Sequence, residues 1–489
     1  MKLAIASLVL VGCSFSGAHD NSPDAGNGSN ASHFPDAGAH DAGADARPGR
    51  DSAVDAQPQC SSVSGTLVDH SLAVTDPAVL ARFSFARVMQ KIVDTGKPGA
   101  SPTALFQQWM STFGSSDCTD PNVDPDHYGL VCPRSAEAKL AGVDPMAAGS
   151  AVTFSPVALF DRFDLAPADG SNCGEHRIVY AMHSNDPNIR GRGLLIFEAA
   201  LPNPSPAQGL VGCLPIAQFW QGLSNLTDST ALADALEKLY FTGDAIPGVP
   251  AVVDAAHYGA ASGQTRFPGQ IRTNMFVDNA SWQLREFKTS AVCGTNAACT
   301  LTLQHVAVAT NPANELFAGT APSSAAFQAA FLAQVPALAT SSLDAIGMSN
   351  DRSFDEFESV SDFGSTDVLY DQQASPAFIA QIQSKLTGLG SSLTPADILR
   401  RATSQTCAGC HQLSSGGEGD LGGGMSWPAS NVFTHVDEQS RLSPALTQEF
   451  LPHRKTVLES FINSVCTEGL APAVKSGLTV GGSRIGAPN

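Results

Sequence analysis

Basic residues are scarce in this 489-residue chain: Lys and Arg number 27 against 46 Asp and Glu, for a formal net charge of -19. A surface of that sign repels phosphate backbones and anionic head groups, which argues against nucleic acid as a partner. No run of about 20 apolar residues is present, so no segment reads as a membrane-spanning helix. Glycine fingerprints after a strand, P-loops, HExxH helices and nucleophile elbows are also missing, which removes the motif basis for several common enzyme chemistries. His127, His176, His183, His257 and His305 are scattered, with no metal-ligand spacing. The oxygen-rich stretch from Asp161 through Asp164, Asp169 and Asn172 to Glu175 does not follow EF-hand alternation, so turn and cap roles are expected there, with a calcium site as the alternative.

What the chain does have is Cys407-Ala408-Gly409-Cys410-His411. On a helix these chemical residues stand at i, i+3 and i+4, so two thiols and an imidazole share one face. The pentamer resembles the haem-attachment motif of c-type cytochromes. That resemblance implies haem c joined to Cys407 and Cys410 through thioethers, with His411 as the proximal iron ligand. Met425 and His435 are the main candidates for the distal ligand, His453 is a third, and an open sixth position is the remaining option. A glycine-rich loop from Gly416 to Gly424 separates the motif from Met425 and suits close approach to a ring edge. Thr394-Pro395-Ala396-Asp397 reads as a helix start before the motif. Val457, Leu458, Phe461 and Ile462 mark a helix after it, so the last hundred or so residues are similar to the cytochrome c fold. The plain alternative is a small helical domain with a disulfide at 407 and 410.

The N-terminus is compatible with the export that haem c requires. Met1-Lys2 precedes a short apolar run, Leu3 to Val11, and Leu10-Val11-Gly12-Cys13 resembles a bacterial lipobox. This implies a signal peptide at 1–12 and lipid on Cys13; an ordinary cleavage after Ala18 is the alternative. Residues 14 to 59 are mostly Asp, Ala, Gly, Asn, Ser and Pro, with Pro23-Asp24-Ala25-Gly26 repeated at Pro35-Asp36-Ala37-Gly38. Such a stretch has little to bury, so 13–60 is expected to be a lipidated disordered tether. Eight cysteines then remain, enough for four disulfides outside the cytoplasm. Proximity suggests Cys118 with Cys132, Cys173 with Cys213 and Cys293 with Cys299, leaving Cys60 and Cys466, although one or two unpaired thiols would also fit the count.

Between these ends the pattern is mixed. Thr75-Asp76-Pro77 and Ser101-Pro102 start helical runs, the first continuing from Val79 to Gly96. His176–Met182, Leu194–Ala199, Gln270–Val277, Trp282–Lys288 and Leu301–Val308 alternate as strands. The expected class is α+β: a mixed domain with antiparallel strands at 61–370, followed by a small all-α cytochrome c-like domain at 371–489. The expected function is that of an exported haem c lipoprotein, anchored in a bacterial membrane and facing the periplasm or cell surface. It would transfer electrons to an unidentified redox partner rather than act as an enzyme. The alternatives are a non-redox surface lipoprotein with a CxxC disulfide and a haem enzyme of the peroxidase or oxidase kind.

Overall fold

The computed structural model describes residue 60 and residues 71–466, apart from 97–99, 115–132, 260–268, 278–280, 294–298, 363–364, 367–368, 416–418 and 432–433. The expectations for Cys13, for the 14–59 tether and for the Cys118–Cys132 pair fall outside the described residues. The class is mixed α+β. Nine strands among the described residues form one antiparallel sheet, with 13 helices around it. Among the described residues no helix is long and apolar enough to cross a membrane.

The strands are β1 (Ala73–Val74), β2 (Val152–Arg162), β3 (Asn172–Ser184), β4 (Gly191–Pro202), β5 (Gln270–Val277), β6 (Trp282–Cys293), β7 (Cys299–Val306), β8 (Glu358–Asp362) and β9 (Ser365–Thr366). They neighbour one another in chain order, except that β6 carries both β7 and β8. The alternation of side chains sorts two different sets onto the two faces. One face presents Tyr180, Phe197, Ile271 and Phe287, all fully buried.

Helices α1 (Pro77–Leu80), α2 (Phe85–Thr95) and α3 (Pro102–Ser111) cover that apolar side. Phe85 of α2 meets Tyr180 and Phe197, and Trp109 of α3 meets Phe197 and Phe287, with ring centroids 5.3–6.3 Å apart. The single helical run expected from Val79 to Gly96 is in fact two helices. The first ends at Leu80, and Ser84 caps the second by accepting from the Arg87 amide at 3.4 Å.

The opposite face carries charge. Arg177, Glu198, Arg272 and Glu286, from β3, β4, β5 and β6, are each fully buried. They form a ladder: Arg177 to Glu198 at 3.4 Å, Glu198 to Arg272 at 3.5 Å, and Arg272 to Glu286 at 2.8 Å. Buried charges persist only when paired and hydrogen-bonded, and Gln270 adds a donor to Glu198 at 2.6 Å.

The oxygen-rich stretch splits between two strands. Asp161 and Arg162 end β2, Asn172 and Glu175 belong to β3, and Asp164 pairs with Arg162 at 2.9 Å. Asp169 and Asn172 accept from the amides of Ser171 and Gly174, the turn roles expected of them.

The remaining helices are α4 (Ser135–Ala138), α5 (Leu214–Leu223), α6 (Ser229–Glu237), α7 (Asn314–Ala318), α8 (Ser324–Leu338), α9 (Tyr370–Gln373), α10 (Pro376–Gly388), α11 (Pro395–Thr403), α12 (Cys407–Ser415) and α13 (Leu451–Cys466). Helices α12 and α13 pack into the same hydrophobic core as the sheet, with α12 against β8 and β6. Cys60 is disulfide-bonded to Cys466 at the end of α13, and Cys173 to Cys213. Cys293 and Cys299 stand opposite each other where β6 pairs with β7, and Cys299 is disulfide-bonded.

Candidate functional site

Helix α11 is built to stop just short of the pentamer. Thr394 caps it and Pro395 follows, as the sequence suggested, and Asp397 completes a reciprocal capping box with Thr394. The chain then turns through Ser404 to Thr406, whose carbonyl accepts from the Cys410 amide at 2.9 Å and whose hydroxyl accepts from Gly409 at 3.0 Å. Thr406 is therefore the N-cap of α12. Two hydroxyl contacts dock this helix on the sheet edge: Ser359 accepts from the Ala408 amide at 2.9 Å, and Ser361 donates to Gln412 at 2.8 Å.

Gly409 fits for a local reason. A Cβ there would collide with the Thr403 carbonyl. Gly409→Ala is expected to lose about 1–3 kcal/mol, the usual cost of overpacking, as a lower urea midpoint.

All five pentamer residues are fully buried, or nearly so. Cys407 and Cys410 are both thiols, and the His411 ring lies 4.9 Å from Trp282 of β6, centroid to centroid. Trp282 is fixed in turn by donating its indole N–H to Asn274. The second imidazole comes from the connection between α12 and α13. The His435 ring centroid is 5.5 Å from that of His411, and its Nε2 lies 3.7 Å from Cys410 Sγ. Its Nδ1 is 2.9 Å from Ser443 Oγ, which also accepts from the Leu446 amide at 3.1 Å. Burial, reinforced by the Arg454 cation, pushes the His435 imidazole down to about 3, so it is neutral at physiological pH.

The loop holding His435 is anchored twice. Asp437 accepts from the amides of Gln439 and Arg441, and Glu438 makes a two-point pair with Arg192 of β4. A cleft of about 510 Å³ opens beside it, lined by this turn together with Arg192 and Asn431.

The sequence candidates thus separate. Cys407, Cys410, His411 and His435 converge. Met425 sits half-buried in a glycine turn whose carbonyls, Leu421 and Gly422, accept from Arg401 of α11 at 2.8 and 3.1 Å. Gly422 has φ of 73° and packs against Asp397, so glycine is required there. His453 lies on α13, with Nδ1 3.5 Å from Asp344. Ser443, Ser359 and Trp282 were not singled out from sequence. Ser443-Pro444 did carry a cap signal for the turn that follows, whereas nothing local marked the other two.

Among the described residues, no group of three or more His, Cys, Asp or Glu is arranged to hold a metal ion by itself. By residue type the donor set is that of a haem c site, but its packing does not fit the group. The set offers two thiols and an imidazole from one helical turn, with a second imidazole facing them. The 3.7 Å approach of Cys410 to His435 leaves no room for a ring as packed. A macrocycle joined to both sulfurs therefore needs the 434–443 loop further from α12.

Compared with protein-family models, curated proteins and solved structures, the chain matches none of them.

Proposed function

We propose that this chain is an exported, lipid-anchored haem c protein that carries electrons, with the haem on Cys407, Cys410 and His411. One observation carries the reading: the pentamer forms a capped helical turn that places both thiols and the imidazole beside a second, neutral imidazole. When bound, the haem supplies reversible one-electron chemistry. The residues that would hold it are Cys407, Cys410 and His411. Trp282 and Phe450 wall the two imidazoles, with ring centroids 4.9 Å from His411 and 5.9 Å from His435. The net charge of -19 suits a basic redox partner. On this reading the helices of 371–489 form the cytochrome c-like part, and the lipid on Cys13 holds the body at a bacterial membrane. The disulfides support an oxidising compartment.

Complete burial of the pentamer favours a second reading, in which Cys407 and Cys410 serve as a structural thiol pair or disulfide in a non-redox lipoprotein. Expression in a periplasm with haem c maturation machinery separates the two. The expected product is coloured, gains the mass of one haem, and shows a sharp reduced α band. A colourless protein lacking that added mass overturns the haem reading.

A further inference from the structure

We propose that the turn from His435 to Ser443 is a flap that covers Cys410, latched to the sheet by the Arg192–Glu438 ion pair. Thioether formation and disulfide exchange alike need that sulfur uncovered, so the flap serves either reading above.

Three observations carry it. First, the two sides of α12 are closed differently. On one, Ser359 and Ser361 of β8 bind the Ala408 amide and the Gln412 side chain, and the helix packs into the core. On the other, the His435 ring lies over Cys410, with Nε2 3.7 Å from Sγ.

Second, the turn is bonded to itself. The Ser443 amide donates to the His435 carbonyl at 2.8 Å, the Asp437 amide to the Arg441 carbonyl at 3.1 Å, and Val436 pairs with Leu442. The Asp437 carboxylate closes the tip, where Ser440 takes a left-handed φ of 62°. At the base, the Ala445 amide donates to the Ala429 carbonyl at 2.9 Å. A segment tied to itself in this way moves as one body about its ends.

Third, the latch faces solvent. The Arg192 and Glu438 side chains keep 28% and 14% exposure, and both line the cleft of about 510 Å³ beside the turn. An Arg–carboxylate fork there holds by geometry, yet water and salt compete for it. The chemical consequence is an order of reaction: Cys410, beneath the flap, meets a reagent before Cys407 does.

The test uses the full chain, made without haem maturation machinery, and iodoacetamide, with labelling followed at Cys407 and Cys410 by peptide mass. Arg192→Ala and Glu438→Gln are each expected to speed labelling of Cys410 about fivefold, the worth of a strong part-exposed ion pair, and ahead of Cys407. Salt at about 1 M should raise the wild-type rate and leave the Arg192→Ala rate unchanged, because screening there acts within about 3 Å. Arg82→Ala, which breaks an ion pair with Glu237 at the end of α6, should change neither sulfur. Should the two sulfurs arrive as a disulfide, the rate at which dithiothreitol opens it in each variant reads the same motion. A wild-type rate in both latch variants overturns the flap. So does labelling of Cys407 and Cys410 at one common rate, the mark of global unfolding.

Discussion

Glu286→Gln should destabilise the fold by about 3–5 kcal/mol, the usual cost of removing one partner from a buried ion pair. The carboxylate is fully buried and faces three cations: Arg272 at 2.8 Å, Arg352 at 3.1 Å and Lys288 at 3.9 Å. Glutamine keeps the volume, so the loss is electrostatic and leaves no cavity. Burial alone would raise the Glu286 pKa, but Arg352, Arg272 and Lys288 outweigh it and hold the carboxyl well below its usual range. A depressed folded pKa stabilises most above the unfolded value, about 4.3, and that contribution fades as pH falls below it. Urea titrations from neutral to acid pH should therefore show the wild type's advantage shrinking below about pH 4. An unchanged midpoint at neutral pH would show that the ladder contributes nothing.

The ladder also shows where sequence reasoning stopped. Alternation made β3, β4, β5 and β6 readable, because Ile178, Phe197, Ile271 and Phe287 give each strand an apolar face. The same alternation puts Arg177, Glu198, Arg272 and Glu286 on the other face but does not say what meets it. Residues distant in sequence reach that face, Arg352 and the Ala309 amide at Glu286 among them, and no local pattern announces such contacts. β2 and β8 were missed for related reasons. β2 has a bulge between Pro156 and Ala158 that breaks its alternation, and β8, with the sequence Glu-Ser-Val-Ser-Asp, is polar enough to pass for a loop. Yet β8 supplies Ser359, which docks the pentamer.

At the site itself, caps and spacing were legible and contacts were not. Thr394, Pro395 and Asp397 signalled α11, and the i, i+3, i+4 spacing put Cys407, Cys410 and His411 on one face. Which distant residue would meet that face depended on a turn closed by Asp437 and Ser443. Met425 and His435 are equally plausible at the level of residue type, and only the path of the chain separates them. The pentamer therefore sits between two structures of different origin: a helix written locally and a sheet edge assembled from far away.

Removing the Cys60–Cys466 bridge should have a larger effect than removing the Cys173–Cys213 bridge. It joins residues 406 positions apart, and loop-closure entropy for so long a loop reaches about 6 kcal/mol, with measured values usually nearer 2–5. The Cys173–Cys213 bridge closes 40 positions and should contribute less, about 4 kcal/mol on the same model. The physical role differs too. Cys466 ends α13, which packs against α5 and carries Phe461 onto Phe163, so the bridge holds the last helix against the body. Cys60→Ser with Cys466→Ser is expected to lower the urea midpoint more than Cys173→Ser with Cys213→Ser. Dithiothreitol should erase that difference, because the reduced wild type has lost both constraints. Equal midpoints for the two double variants under oxidising conditions would mean that the closure of the chain's ends adds nothing beyond a local clasp.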